Sequence, residues 1–178
     1  WVDETYINYL PDAVSLEPLC GSLPELVVCK SMSKCYALSG LRVAYAVSQN
    51  MATLRRFIPP WAVSLPGQLA AVAALRNDAY YAQQYEVIHS ERRKMQQALD
   101  DLGFQVFSGV ANYLLTYLPA ASGYSSTRFI EACREQGLFV RDAQNMGVLL
   151  PNNAVRFAVR SPEENEKMLS IVDAILAL

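Results

Sequence analysis

The hydrophobic and polar positions along the chain predict strands near both ends and long helices between them. Short apolar runs bounded by polar residues, typical of buried strands, occur before residue 50 and again after Gly103. Helical periodicity dominates between the proline-rich residues 58–68 and Gly103, where glycine provides a stop signal. The predicted strands are residues 1–7, 25–31, 41–48, 104–109, 112–119, 138–142 and 154–160, and the predicted helices are residues 68–78, 80–103, 125–137 and 161–178.

This order of elements predicts an α/β fold in two parts. The first three strands and the segments that join them are typical of part of an α/β sheet. The strands and helices after the long helical stretch form a compact α+β unit. We therefore expect two domains, at residues 1–85 and residues 86–178, bridged by the helix predicted at residues 80–103.

The bridging helix carries charged and aromatic residues to which we assign no chemistry. Residues 90–97 ("SERRKMQQ") are expected to form a solvated face. Tyr80, Tyr81 and Tyr85 fall at helical spacing and are expected to pack at the domain interface.

The composition is that of a globular protein with balanced charge. Hydrophobic residues make up 52% of the 178 residues, and 15 basic and 17 acidic side chains give a net charge of -2. This balance predicts no nucleic-acid partner and no membrane partner, and no apolar run reaches the ~18 residues that cross a bilayer. The four cysteines show no C-x-x-C pair, so we expect no metal site, reduced thiols and a cytoplasmic location.

One group of polar residues interrupts the apolar pattern at "SMSK", where Lys34 follows two serines. Ser31 and Ser33 offer hydroxyl donors, and Arg42, eight positions after the lysine, offers a planar fork of donors. Gly40 allows close approach of the backbone, so the group forms a candidate nest for a phosphate dianion. An amine beside a phosphate site favours pyridoxal 5'-phosphate (PLP), a cofactor held at both ends. The alternative is a solvated loop lysine.

The opening "DETY" offers the other groups that this cofactor needs. PLP requires a carboxylate against its ring nitrogen, which keeps that nitrogen protonated, and a donor to its ring hydroxylate. Asp3 and Tyr6 could supply both groups from the tip of one strand. The segments "DETY" and "SMSK" therefore point to one cofactor.

In their order and spacing, "DETY", "SMSK" and "SGLR" resemble the fold-type-I PLP enzymes of the aspartate aminotransferase superfamily. The chain is most similar to the histidinol-phosphate aminotransferase group, nearly end to end. The resemblance implies part of a mixed, mostly parallel large-domain sheet with helices in residues 1–85, followed by a small C-terminal α+β domain. It implies Lys34 as the lysine that forms a Schiff base with PLP. The cofactor contacts that it implies are Asp3, Tyr6, Ser31, Ser33, Lys34 and Arg42.

The second domain offers candidate substrate-binding residues. Arg156 matches the arginine that grips the substrate α-carboxylate in the family that the chain resembles, and a guanidinium suits a carboxylate because it binds in a bidentate manner. It could instead pair with a local acid, and Arg160, on the same strand face, competes for the role. Asn112 matches an asparagine at the start of a strand in that family. Arg141 is expected to pair with Asp142 or its surroundings.

The resemblance implies transfer of an amino group between an amino acid or amino phosphate and a 2-oxo acid, by a homodimer acting on small molecules. Two alternatives stay open: a threonine-phosphate decarboxylase-like PLP enzyme, and a non-catalytic aminotransferase-like remnant or effector domain. Three strands of a larger sheet would leave an unpaired apolar edge. We therefore expect a fragment, or half of a split structure, whose missing N-terminal half is supplied in cis or by another chain. Alone, the chain is expected to bind PLP poorly.

Overall fold

The computed structural model describes residues 1–177, which divide into two compact units. The first spans Trp1–Tyr85, and the second begins at Glu86. The division falls inside one long helix, Asp78–Asp101. That the first unit is part of a PLP-binding domain, and the second a small C-terminal domain, stays a prediction at this point.

The first unit combines short strands with the helices that follow them. Its strands are β1 (Val2–Asp3), β2 (Val28–Ser31) and β3 (Ala44–Val47), and its helices are α1 (Met51–Leu54), α2 (Leu65–Leu75) and the first part of α3 (Asp78–Asp101). Short 3₁₀ turns lie at Ile7–Tyr9, Glu17–Gly21, Ser39–Leu41 and Arg55–Phe57. Ser64 caps α2 by accepting a hydrogen bond from the Gly67 amide at 3.2 Å. A Cβ at Gly67 would meet a side-chain carbon of Val43 at 3.0 Å, so any larger residue there requires the Val43 side chain to shift.

The three strands form a mixed sheet in the order β1-β2-β3. β1 runs parallel to β2, with Asp3 opposite Cys29, and β2 runs antiparallel to β3, with Ser31 opposite Ala44. The expected α/β fold with a mixed sheet is confirmed. Because the carboxyl ends of parallel strands lie at one edge of a sheet, β1 and β2 deliver Asp3 and Ser31 to the same edge.

The second unit is an antiparallel sheet packed against helices. Its strands are β4 (Gln105–Val106), β5 (Tyr113–Tyr117), β6 (Arg141–Asp142) and β7 (Ala154–Ala158), and its helices are the end of α3, α4 (Ser126–Glu135) and α5 (Pro162–Leu176). A 3₁₀ turn lies at Ala120–Ser122. The strand order is β4-β5-β7-β6. Ser125 and Ser161 cap α4 and α5, and Ser161 forms a capping box with Glu164.

One face of this sheet supplies the core of the second unit. Side chains alternate between the two faces of a strand, and Leu114 on β5 and Phe157 on β7 point inward and are fully buried. Phe104 and Phe129 pack edge-to-face with Phe157, at centroid distances of 5.7 and 6.4 Å. The opposite face carries half-exposed side chains, among them Arg156.

Each predicted strand and helix is present in the predicted order, with ends that differ by a few residues, and the predicted end of the last helix at position 178 lies outside the described residues. The short helix α1 was not predicted. The expected solvated face at residues 90–97 is wrong in part, because Glu91, Arg92 and Met95 of that stretch are buried. No helix among residues 1–177 is long and apolar enough to cross a membrane.

Candidate active site

Asp3 ends strand β1 with an exposed carboxylate held by its neighbour Thr5. Its Oδ1 accepts a hydrogen bond from the Thr5 amide at 2.9 Å and a second from the Thr5 hydroxyl. Both donors act on the same oxygen. The carboxylate therefore keeps a fixed orientation at the end of the strand while the other oxygen can bind a ligand.

Thr5 also joins Asp3 to the serines of "SMSK". The Ser31 amide donates to the Thr5 hydroxyl oxygen at 3.2 Å, and the Ser31 hydroxyl is hydrogen-bonded to the Ser33 hydroxyl. The Ser33 amide also donates to the Ser31 hydroxyl oxygen, at 3.4 Å. Hydrogen bonds thus link Asp3 to Thr5, Thr5 to the backbone of Ser31, and the Ser31 hydroxyl to the Ser33 hydroxyl.

A shallow pocket lies at this edge of the sheet. Its volume is about 310 Å³, and both Asp3 and Ser31 line it. The other lining residues are Trp1, Val2, Thr5, Cys29, Lys30 and Ala44. The structure thus brings a carboxylate and a hydroxyl donor, predicted separately from the sequence, to one concave surface.

Lys34 lies directly after this group and has an exposed side chain. Its backbone carbonyl accepts hydrogen bonds from the Tyr9 hydroxyl at 3.3 Å and from the Ala37 amide at 3.2 Å. Within residues 1–177, no hydrogen bond or ion pair engages its amine. The backbone at Lys34 is anchored while the amine is available to a ligand.

The sequence interpretation missed a second lysine, Lys30, whose amine is buried on β2. It lies 2.6 Å from Oε1 of Glu17, 3.2 Å from Oε2 of Glu4 and 3.2 Å from the Ser15 hydroxyl. Burial alone would lower the pKa of Lys30, but the hydrogen bonds and charges of Glu17 and Glu4 outweigh it and raise that pKa. The amine of Lys30 is thereby kept protonated, whereas an amine that acts as a nucleophile must be uncharged. The signal in the sequence was a lysine inside an apolar strand run.

A group of tyrosines packs around the segment that carries Lys34. Tyr85 of α3 packs edge-on against Tyr9 at 5.2 Å between centroids, and Tyr81 packs against Tyr36 at 5.0 Å. The Tyr81 hydroxyl donates to the Tyr36 carbonyl at 3.4 Å. These contacts lie within the first unit, and the packing of these tyrosines at the domain interface stays a prediction. Tyr6, the predicted ring-oxygen donor, is half-buried and packs against Tyr9 at 6.3 Å.

Arg42 lies near the serines along the backbone, but its guanidinium does not contact them. The Val43 carbonyl accepts a hydrogen bond from the Met32 amide at 3.0 Å, which folds the intervening loop back. Arg42 adopts a left-handed backbone, with φ 55°, and donates to the Ser39 carbonyl at 3.2 Å. A Cβ at Gly40 would meet no atom within 4 Å, so no protein neighbour requires glycine there.

The second unit presents Arg156 on the open face of its sheet. Its guanidinium carbon lies 4.8 Å from the ring centroid of Tyr113, and across the ladder Arg156 is opposite Arg141 on β6. Like charges directly opposite in adjacent strands repel unless an anion lies between them. The Asn112 carbonyl accepts a hydrogen bond from the Val159 amide at 2.9 Å.

Two expectations for neighbouring arginines change with the structure. Arg160 donates to Glu164 at 2.8 Å and is therefore not the free cation that would compete with Arg156. The carboxylate of Asp142 accepts bonds from Ser126 and Gln144, so the expected pairing of Arg141 with Asp142 is wrong among the ion pairs of residues 1–177.

The sequence profile of the family "Aminotransferase class I and II" matches residues 1–172. The chain belongs to this family. Its members depend on PLP, so the cofactor expected from the sequence is the cofactor of the family.

Proteins similar to this chain are named for different activities. It is 34% identical over 99% of its length to an aromatic amino acid aminotransferase of Rhodococcus erythropolis, of which it covers 47%. It is 30% identical over 98% of its length to a threonine-phosphate decarboxylase of Salmonella typhimurium, covering 48%. It is 28% identical over 95% of its length to a histidinol-phosphate aminotransferase of Acinetobacter baylyi, covering 46%. The chain thus spans about half the length of the curated relatives that it matches.

Solved structures show the same fold. The L-threonine-O-3-phosphate decarboxylase from Porphyromonas gingivalis superimposes with a TM-score of 0.84 at 23% identity, over 99% of this chain and 54% of that one. The histidinol-phosphate aminotransferase from Clostridium acetobutylicum gives a TM-score of 0.81 at 24% identity, over 98% of this chain and 53% of that one.

Proposed function

We propose that the protein transfers an amino group between an amino acid or amino phosphate and a 2-oxo acid, with PLP as its cofactor. One observation carries the proposal: Asp3, Thr5 and Ser31 line one pocket and are linked by hydrogen bonds, Ser33 is bonded to Ser31, and the next residue, Lys34, has an amine without a hydrogen bond or ion pair among residues 1–177. A carboxylate, a hydroxyl pair and a free amine match the ring nitrogen, phosphate and aldehyde of PLP in chemistry. The donor set therefore fits the cofactor.

Each side chain has a distinct task in this proposal. Bound PLP supplies a reactive aldehyde carbon and an electron-withdrawing ring. Lys34 would supply the amine that holds this carbon, and in its uncharged form it would act as the base that moves a proton. Asp3 holds a proton on the ring nitrogen, and Tyr6 donates to the ring oxygen. Ser31, Ser33 and Arg42 bind the phosphate, which requires Arg42 to leave its bond to a backbone carbonyl.

The contrast between two lysines supports Lys34 as the reacting residue. A reacting amine must lose its charge, and the two carboxylates around Lys30 oppose that loss. No carboxylate among residues 1–177 lies within ion-pair distance of Lys34. The first lysine therefore contributes to the fold, and the second is available for chemistry.

We assign the anionic part of the substrate to Arg156 and Asn112 of the second unit. Arg156 is opposite Arg141 in the register of the β6–β7 ladder, and two arginines at neighbouring positions favour a carboxylate or a phosphate. This supports both amino acids and amino phosphates as substrates.

A second enzyme activity has specific support. The threonine-phosphate decarboxylase of Salmonella typhimurium is 30% identical to this chain, close to the 34% of the aromatic amino acid aminotransferase. Assays of CO2 release and of keto-acid formation, on the same amino acids and amino phosphates, separate these activities. A non-catalytic remnant or effector domain would give neither product, even with the rest of the protein present.

We further propose that the active form is a homodimer whose missing N-terminal half is supplied in cis or by another chain. Support comes from the three-stranded sheet, in which β1 and β3 each have one neighbour among the described strands. The chain also covers only 46–48% of three relatives. The free thiols of its cysteines support a cytoplasmic location.

The decisive experiment is an absorbance spectrum with added PLP, recorded for the chain alone and for a longer protein with its preceding sequence restored. We expect a band of covalently bound cofactor in the longer protein, and weak binding by the chain alone. Lys34→Ala should abolish the band, and Lys167→Ala, at an exposed lysine of α5, should keep it. Absence of the band from the longer protein would contradict the proposal.

A further inference from the structure

Arg92 is a buried cation on α3 to which the proposed site gives no task. Arg92 is only 5% exposed to solvent. Its Nε donates to the Gly109 carbonyl at 2.6 Å, Nη1 to the Tyr113 carbonyl at 3.1 Å and Nη2 to the Phe107 carbonyl at 3.3 Å. One guanidinium therefore holds the backbone at three points of the loop at residues 107–113, which leads from β4 to β5.

The charge of Arg92 is not balanced by a nearby acid in the part of the chain that the structure describes. Within residues 1–177, no carboxylate lies within ion-pair distance of Arg92. The adjacent Glu91 is engaged by Lys94 at 2.6 Å and by Asn165 at 3.1 Å. Burial lowers the pKa of the Arg92 guanidinium, although a guanidinium stays protonated even so. Burying the charge of Arg92 against carbonyl groups costs free energy. The position that this side chain gives to the loop is therefore a candidate for a role beyond packing.

The loop is shaped to receive this side chain. A Cβ at Gly109 would lie 3.1 Å from Nη2 of Arg92, a contact that requires the neighbour to give way. The Phe107 amide donates to the Leu115 carbonyl at 3.0 Å and closes the base of the loop. Glycine at position 109 therefore allows the backbone to approach the guanidinium.

The same loop ends at the residues that surround Arg156. Tyr113, whose carbonyl Arg92 holds, places its ring 4.8 Å from the guanidinium carbon of Arg156. The preceding residue, Asn112, accepts a hydrogen bond from the Val159 amide at 2.9 Å, just beyond the end of β7. A direct path of contacts thus runs from Arg92 through Tyr113 to Arg156.

We propose that Arg92 is a positioning residue for the anion site at Arg156: it fixes the 107–113 loop so that the Tyr113 ring orients the Arg156 guanidinium. The use of that site for substrate rests on the proposed function, but the link between the two arginines does not. Arg92 touches neither substrate nor cofactor in this assignment and acts only through Tyr113.

The test is side-chain NMR of the arginine Nε–Hε groups in the full chain, without cofactor. In the unaltered protein the Arg156 signal should be shifted upfield by the Tyr113 ring. Arg92→Lys should move this signal toward its position in Tyr113→Leu, which has no ring. Arg93→Lys, at the exposed neighbour of Arg92, should leave it unchanged.

A titration with inorganic phosphate, followed at the Arg156 signal, adds a binding measurement. Arg92→Lys should weaken phosphate binding roughly two- to fivefold, the equivalent of one exposed cation–π contact. If Arg92→Lys lowers the melting temperature while the signal and the phosphate affinity stay the same, Arg92 serves stability alone and the proposal is overturned.

A second pair of variants decides the question if Arg92→Lys does not fold. Tyr113→Phe keeps the ring and should preserve the Arg156 signal, and Tyr113→Leu should lose the upfield shift. An unchanged signal in Tyr113→Leu would overturn the proposal. Because none of these measurements uses PLP, a longer protein that shows no cofactor band would remove the proposed function and leave the link between Arg92 and Arg156 intact.

Discussion

The amine of Lys30 lies 2.6 Å from a carboxylate oxygen of Glu17, although the two residues are on separate elements of the first unit. Glu4 contacts the same amine from the other side at 3.2 Å. Four positions further along the chain, Lys34 has an exposed side chain. Two lysines of one short segment therefore have opposite environments: the amine of Lys30 is buried between carboxylates, and the side chain of Lys34 is exposed.

We expect an amine-acylating reagent to modify Lys34 much faster than Lys30. Brief acetylation followed by mass spectrometry measures both. Glu17→Gln should increase modification of Lys30 and lower the free energy of unfolding by about 1–3 kcal/mol, because a buried charge loses one partner while Glu4 remains. Glu25→Gln, at an exposed acid, is the control. Equal modification of the two lysines in the unaltered protein would contradict a buried, ion-paired Lys30 beside an exposed Lys34.

Thr5→Val should weaken PLP binding while leaving the fold intact. The valine has the shape of threonine but cannot donate to Asp3 or accept from the Ser31 amide. Loss of about 1 kcal/mol of hydrogen bonding corresponds to a roughly fivefold increase in Kd, measured by absorbance titration of the longer protein. Thr5→Ser keeps the hydroxyl and should bind PLP as the unaltered protein does. If the two variants bind equally, the hydroxyl of Thr5 does not position Asp3.

The secondary structure was largely predictable because its signals are local. Ser161, Pro162 and the acids that follow are a signal for the start of a helix, and α5 begins there. In the structure Ser161 and Glu164 form the capping box. The burial of Lys30 was not predictable in this way. Glu4 reaches Lys30 only when β1 pairs with β2, and Glu17 reaches it only when the turn at Glu17–Gly21 folds against β2.

The candidate site shows the same division between local and long-range information. Asp3 and Ser31 were both candidates from the sequence, and they lie together because each ends one of two adjacent parallel strands. It gave no sign of Thr5, whose role depends on a hydrogen bond across those strands. Arg92 was assigned to a solvated face because charged residues surround it. Its burial depends on carbonyls of a loop that begins 15 residues later.

Arg156→Lys should raise KM for amino-acid substrates roughly 10- to 100-fold, with a smaller effect on kcat. Lysine keeps the charge but loses the paired donors of a guanidinium, and a hydrogen bond to a charged group contributes about 1.5–3 kcal/mol. Steady-state kinetics of the longer protein measure the change. Arg160→Lys is the matched control, because Arg160 is paired with Glu164. Equal effects of the two variants would remove Arg156 from the substrate site.

Glu164 should make the stability of the second unit fall in acid. Hydrogen bonds from Arg160, and then from the Ser161 hydroxyl and amide, lower the pKa of Glu164 from 4.5 to about 2. Because the folded pKa is below the unfolded one, the stabilisation is complete above pH 4.5 and is lost as the pH falls toward 2. Melting temperatures measured between these pH values should fall less steeply for Glu164→Gln than for the unaltered protein, and the difference should shrink in high salt because the carboxylate is exposed. Glu166→Gln, at an exposed acid in the next turn of α5, is the control. If both variants show the same acid dependence, the capping box does not hold Glu164 in its ionised form.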